Sequence, residues 1–145
     1  MKTLTAILVI LVCLTAAHPG GAQESESVTK EEIRRALDGP ETKEQAVTLN
    51  ELADKLYNED RYAEAEPLYK RSLAINREIH GRRSPEVAIT LWDLALAQDE
   101  LGNHDAAISS LKELIELETE IYGDESEELA TSLDGLASVY VEEAR

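Results

Sequence analysis

A chain of 145 residues with 43% apolar content holds enough hydrophobic material for one packed core and not for two. Its net charge of −16 is unevenly placed: residues 23–83 carry 14 acids against 11 bases, and residues 84–145 carry 16 against 2. A surface that negative repels phosphate backbones and anionic lipid headgroups, so nucleic-acid and electrostatic membrane binding are not expected and basic or polar partners are favoured.

The first element is a leader. Lys2 precedes an apolar run from Leu4 to Ala17, and the small residues Gly20, Gly21 and Ala22 follow, which is the order of a secretory signal peptide over residues 1–22. Cleavage is expected after Ala22, with Ala17 as the alternative. The run is shorter than the roughly 20 residues of a comfortable membrane span, and an uncleaved anchor is the competing reading. Cys13 follows Val12, where a lipoprotein signal wants a small residue, so it reads as part of the apolar run. Cleavage at Ala22 leaves no cysteine, and helix packing must then supply the stability. Residues 23–27 read as a loose tail, and the product is expected to be exported, periplasmic or secreted.

Residues 28–38 predict a short helix, because Thr29 followed by Glu32 is a capping box and Gly39 closes the segment. From there the chain repeats with a period of 42 residues. The pattern A-x-[TS]-L-x-x-L-A stands at 46–53, 88–95 and 130–137, and Gly39, Gly81 and Gly123 each lie three residues before Thr42, Ser84 and Ser126. A glycine past one helical run and a Ser or Thr before the next mark a stop and a start. Glu44, Glu86 and Glu128 fall in the first turns, where negative charge meets the positive end of the helix dipole, and Pro85 takes the first helical position.

Within the first unit, 42–81, Leu49, Leu52, Ala53 and Leu56 have helical spacing, and so do Ala65, Leu68, Tyr69, Ser72, Leu73 and Ile75. Asn58–Arg61 breaks the two runs, and Leu101–His104 does the same in the second unit, 84–123. Ile33 and Leu37 stand 42 residues before Ile75 and Ile79, so the opening helix is half of a second helix, whereas residues 126–145 supply a first helix alone. The expected fold is an all-α solenoid of antiparallel hairpins, two full units between half units that serve as caps.

Leu52-Ala53, Arg61-Tyr62, the run Glu64-Ala65-Glu66-Pro67-Leu68-Tyr69-Lys70-Arg71 and Leu73-Ala74-Ile75 closely resemble the 42-residue tetratricopeptide repeats of kinesin light chains and many bacterial proteins. The resemblance is specific over residues 46–81. It weakens in the second unit, where His104 replaces the tyrosine and Ser109-Ser110 the proline and leucine; Asp60 replaces a turn glycine in the first. The resemblance implies a right-handed stack whose first helices line a concave groove for peptides or partner helices, in scaffolds, adaptors or co-chaperones usually without catalysis. Taken with the expected export, it favours a bacterial source, where exported repeats of this kind are plentiful. The groove positions it implies are Asn50, Asp54, Tyr57 and Asn58, then Trp92, Leu96, Asp99 and Glu100, then Asp134, Ser138, Val141 and Glu142. Asn50 would bond a peptide backbone and Trp92 would anchor it, the competing role for each being internal packing.

The remaining candidates have plainer readings. Glu113, Glu116 and Glu120, with Glu118 nearby, could attract cations but read as a solvated outer face. The run Asp124–Glu128 lacks the spaced ligands of a calcium loop and reads as a helix start. His80 and His104 have no partner at zinc spacing, and no nucleophile motif or phosphate-cradling loop is present. No cofactor, metal or catalytic activity is expected. The alternatives are end-to-end self-assembly, suggested by Tyr140 and Val141 on a terminal helix without a following partner, and, remotely, a hydrolase or its subunit.

Overall fold

The computed structural model describes residues 27–144, so the expected leader, its cleavage site and all but Ser27 of the expected tail lie outside the described residues. Six helices follow in order: α1 (Lys30–Leu37), α2 (Lys43–Asn58), α3 (Tyr62–His80), α4 (Pro85–Glu100), α5 (His104–Tyr122) and α6 (Glu127–Glu143), with no strand among the described residues.

Side chains start four of the six. Thr29 Oγ1 accepts from the Glu32 N–H, and Glu32 returns the bond to the Thr29 N–H at 2.8 Å. Thr42, Ser84 and Ser126 accept from the N–H groups of Gln45, Val87 and Leu129 at 3.2, 3.3 and 3.2 Å. Helices α3 and α5 have no side-chain cap and start instead from tight turns. In those turns Asp60 and Gly102 hold φ of 57° and 73°, and the following N–H groups of Arg61 and Asn103 reach back to the carbonyls of Leu56 and Gln98, each at 2.9 Å. These are matching Schellman closures. Asp60 therefore takes the left-handed conformation without being glycine, and its Oδ1 accepts from Tyr62 Oη at 2.8 Å.

The core runs the length of the stack. Leu49, Ala53 and Leu56 of α2 bury against Ala65, Leu68 and Tyr69 of α3, and Leu91 and Ala95 of α4 repeat the arrangement with Ala107, Leu111 and Leu114 of α5. Each fully buried leucine contributes about 1.5–3 kcal/mol, and alanine at the facing positions lets the helices approach. From α2 onward each helix packs chiefly on its neighbours in the chain, as in a quasi-linear repeat stack. Salt bridges tie successive units: Arg77 to Glu113 and Arg83 to Glu120, both at 2.6 Å. Glu113 and Glu120 are thus engaged across units, which corrects the reading of that face as merely solvated.

The two ends differ. Val28, just before α1, is buried, its carbonyl accepts from Arg61 Nη1 at 2.6 Å, and Ser27 Oγ donates to Glu59 Oε2 at 3.0 Å. The N-terminal segment is thereby tacked to the α2–α3 turn. At the other end, α6 has no second helix over it among the described residues. Leu133 is 48% exposed, whereas Leu49 and Leu91, at the corresponding positions, are 0% and 1% exposed.

Nothing lies within 4 Å of a Cβ built on Gly102, so replacing that glycine tests backbone strain alone. Gly102→Ala is expected to lower the unfolding free energy by about 1 kcal/mol, read from urea denaturation of both proteins. An unchanged midpoint would show that the α4–α5 turn relaxes to another conformation.

Candidate peptide-binding groove

Cavities open between successive first helices, one flanked by α2 and α4 and one by α4 and α6, with α3 and α5 supplying side chains to them. Between α2 and α4 lies a cup of about 280 Å³ lined by Asp54, Tyr57, Asn58, Tyr69, Asp93 and Leu96. Tyr69, 2% exposed, forms its floor and donates from Oη to Asp54 Oδ1 at 2.7 Å. Burial, and then that bond to a carboxylate, raise the Tyr69 phenol far above its ordinary range. The Tyr57 ring stands edge-on to Tyr62, centroids 5.0 Å apart, and burial followed by the charge of Glu100 raises its phenol as well.

Asp93 is the unusual member. It is half-buried and has neither a hydrogen-bond donor nor a cation among the described residues. Burial, and then the charge of Asp54, push its carboxyl up to about 6.

The sequence-derived positions are distributed over these helices. Asp54, Tyr57, Asn58 and Leu96 meet in the cup. Asn50 is half-buried, and its Nδ2 donates to Thr90 Oγ1 at 3.2 Å, so its amide joins α2 to α4. Trp92 is half-buried with its ring edge on α6, where a Cβ added to Gly135 would lie 3.0 Å from Cζ3. Its other side lines a cavity of about 400 Å³ between α4, α5 and α6. Asp99 Oδ1 lies 2.9 Å from His104 Nδ1 at the start of α5, and Glu100 is exposed at the end of α4. Asp134 and Ser138 line a shallow depression on α6 with Val141 and Glu142.

Asp93, Tyr69, Glu118 and Tyr122 also face these cavities, and sequence reasoning did not place them there. Glu118 is a correction: it is 6% exposed, not part of a solvated outer face. Its counterpart 42 residues earlier, Asn76, is buried as well. Among the described residues no three His, Cys, Asp or Glu side chains converge as metal ligands.

A helical repeat with polar cups between successive first helices defines a class of binding scaffolds. The chain belongs to the tetratricopeptide repeat family, whose profile matches residues 44–118. Its fold is similar to the crystal structure of BtubC (BKLC) from P. vanneervenii, with a TM-score of 0.66 and 19% identity. The match covers 72% of this chain and 42% of that one, so the chain spans less than half of that relative. No curated protein matches by sequence. Repeats of this family mediate protein–protein interaction and scaffolding and are typically non-catalytic.

The cup has a consequence for stability. Folded Asp93 holds its proton to about pH 6, whereas its unperturbed value is 3.8, so between these values the folded state binds more protons than the unfolded state. Its contribution to stability is therefore fully present below the lower value and is lost as pH rises through the upper one. Asp93→Asn should raise stability at pH 7 by about 2 kcal/mol and change it little at pH 4. Urea denaturation of both proteins at the two pH values measures this; equal differences at both would mean that Asp93 does not titrate in the window.

Proposed function

We propose that the chain is an exported, non-catalytic binding module whose first-helix groove holds a basic segment of another protein. Asp93 carries this reading: a half-buried carboxylate beside Asp54, walled by Tyr57 and Tyr69, with no cation of its own among the described residues. A lysine or arginine from a partner would offset the repulsion between the two aspartates, and the tyrosine rings would cover its alkyl stem. The excess of acids over residues 84–145 would steer a basic partner toward this face. Export is supported by the order of Lys2, the apolar run to Ala17 and the small residues ending at Ala22.

Panning a random displayed-peptide library on the purified chain should enrich lysine- and arginine-containing peptides. Their affinity should fall about tenfold on Asp93→Asn and with rising salt. Enrichment of neutral or acidic sequences, or capture indifferent to both Asp54→Asn and Asp93→Asn, would sink the groove reading. Expression of the full chain in a bacterial host should yield an extracytoplasmic product whose N-terminal residue is Gln23. Recovery of an uncut chain from the cytosol would remove the case for export.

A further inference from the structure

The repeat provides an internal comparison of one position in two units. Asn50, Asn76, His80 and Thr90 of the first correspond, 42 residues on, to Trp92, Glu118, Tyr122 and Ser132. In the first unit Thr90 Oγ1 accepts from the Nδ2 groups of Asn50 and Asn76, each at 3.2 Å, and itself donates to the Glu86 carbonyl at 2.9 Å. That lattice knits α2, α3 and α4 together over a cavity of only about 110 Å³, where Oδ1 of the neutral Asn50 amide and Nε2 of His80 are left unpaired.

In the second unit the lattice is gone. Glu118 replaces Asn76, so an acceptor stands where a donor stood. Ser132 hydrogen-bonds the carboxylate, yet Glu118 Oε2 is enclosed without a partner, on a side chain whose residue is 6% exposed. Trp92, replacing Asn50, lies against Gly135, and the cavity widens to about 400 Å³. Its walls are the Trp92 and Tyr122 rings and Ile89, with Glu127 and Glu128 contributed by the first turn of α6. No basic residue lines it.

This chemistry selects its occupant. A buried carboxylate oxygen without a donor is costly, an anion would be repelled by three carboxylates, and an apolar side chain would leave Oε2 unpaired. A cation carrying several N–H donors on an apolar stem meets every demand, because aromatic faces attract it and cover the stem. We propose that the Trp92–Glu118–Tyr122 cavity receives one lysine or arginine side chain of the bound polypeptide, Glu118 Oε2 accepting from its charged head. The inference rests on the groove reading and deepens it, since it fixes a second anchoring point between the next pair of first helices.

Trp92 is the sole tryptophan, so its fluorescence and its indole N–H resonance report on this cavity. The probes are acetylated, amidated pentapeptides with arginine, lysine or glutamine at the centre of four glycines. The arginine or lysine peptide should shift the indole signal saturably and the glutamine peptide should not. Glu118→Gln should weaken that binding about tenfold, while Glu116→Gln, the same charge change on an exposed position, should leave it unaltered. Should Glu118→Gln fail to fold, Tyr122→Ala, at an exposed residue, should still weaken the arginine peptide severalfold. A response equal for glutamine, or one indifferent to these variants, overturns the proposal. Library peptides that are basic yet bind Glu118→Gln as tightly as wild type overturn the cavity and leave the groove reading intact. No captured peptide, with Trp92 still responding to the arginine probe, overturns the groove reading alone.

Discussion

Every first helix in this chain presents the same stripe of alanine and leucine, and the helix that covers the stripe organises everything else. Leu49 and Ala53 of α2, and Leu91 and Ala95 of α4, are sealed beneath α3 and α5, with at most 1% exposure at all four. That burial is the dominant favourable term available to a chain whose described residues include no cysteine. It also fixes which side of each first helix is left over. With the stripe facing its hairpin partner, Asp54, Asn58 and Leu96 must face along the stack, and a polar groove results from apolar packing.

The groove floor shows how little needs to change to alter what a repeat can hold. Both units place polar residues at buried positions between successive first helices, where each donor and acceptor has to be matched. Thr90 accepts from both Asn50 and Asn76 and narrows the first position, although Asn50 Oδ1 and His80 Nε2 stay unpaired there. Glu118 beside Ser132 leaves one oxygen unmatched, and Trp92 moves aside onto a glycine. The backbone repeat is preserved while the side chains of its cavity change from neutral amides to a buried carboxylate.

Much of the fold was legible because the determinants are local. The caps at Thr29, Thr42, Ser84 and Ser126 act within three residues, and the helical spacing of leucines and alanines needs no tertiary knowledge. Family resemblance placed Asp54, Tyr57, Asn58 and Leu96 on the face where the structure brings them together. Asp93 was not legible, since its environment depends on Tyr69 and Asp54 arriving from two other helices. Glu118 was hidden by its neighbours: among so many glutamates on α5, only the tertiary position separates one buried carboxylate from salt-bridged Glu113 and Glu120. Asn50 shows the reverse limit, because a residue that resembles a peptide ligand had already found an internal partner in Thr90.

The acids of the groove oppose the stability that the stripe provides. A half-buried Asp93 raised to about 6 and an enclosed Glu118 raised by burial both favour the neutral form, so at neutral pH the folded chain carries charge that the unfolded chain would carry at lower cost. The helical packing tolerates this because the cups lie between units, outside the alanine–leucine seam, and neither carboxylate interrupts that seam. Binding a cation at either position would remove the opposition without repacking a helix. Affinity and stabilisation would then be two aspects of one interaction, and a bound partner would hold the stack more firmly together.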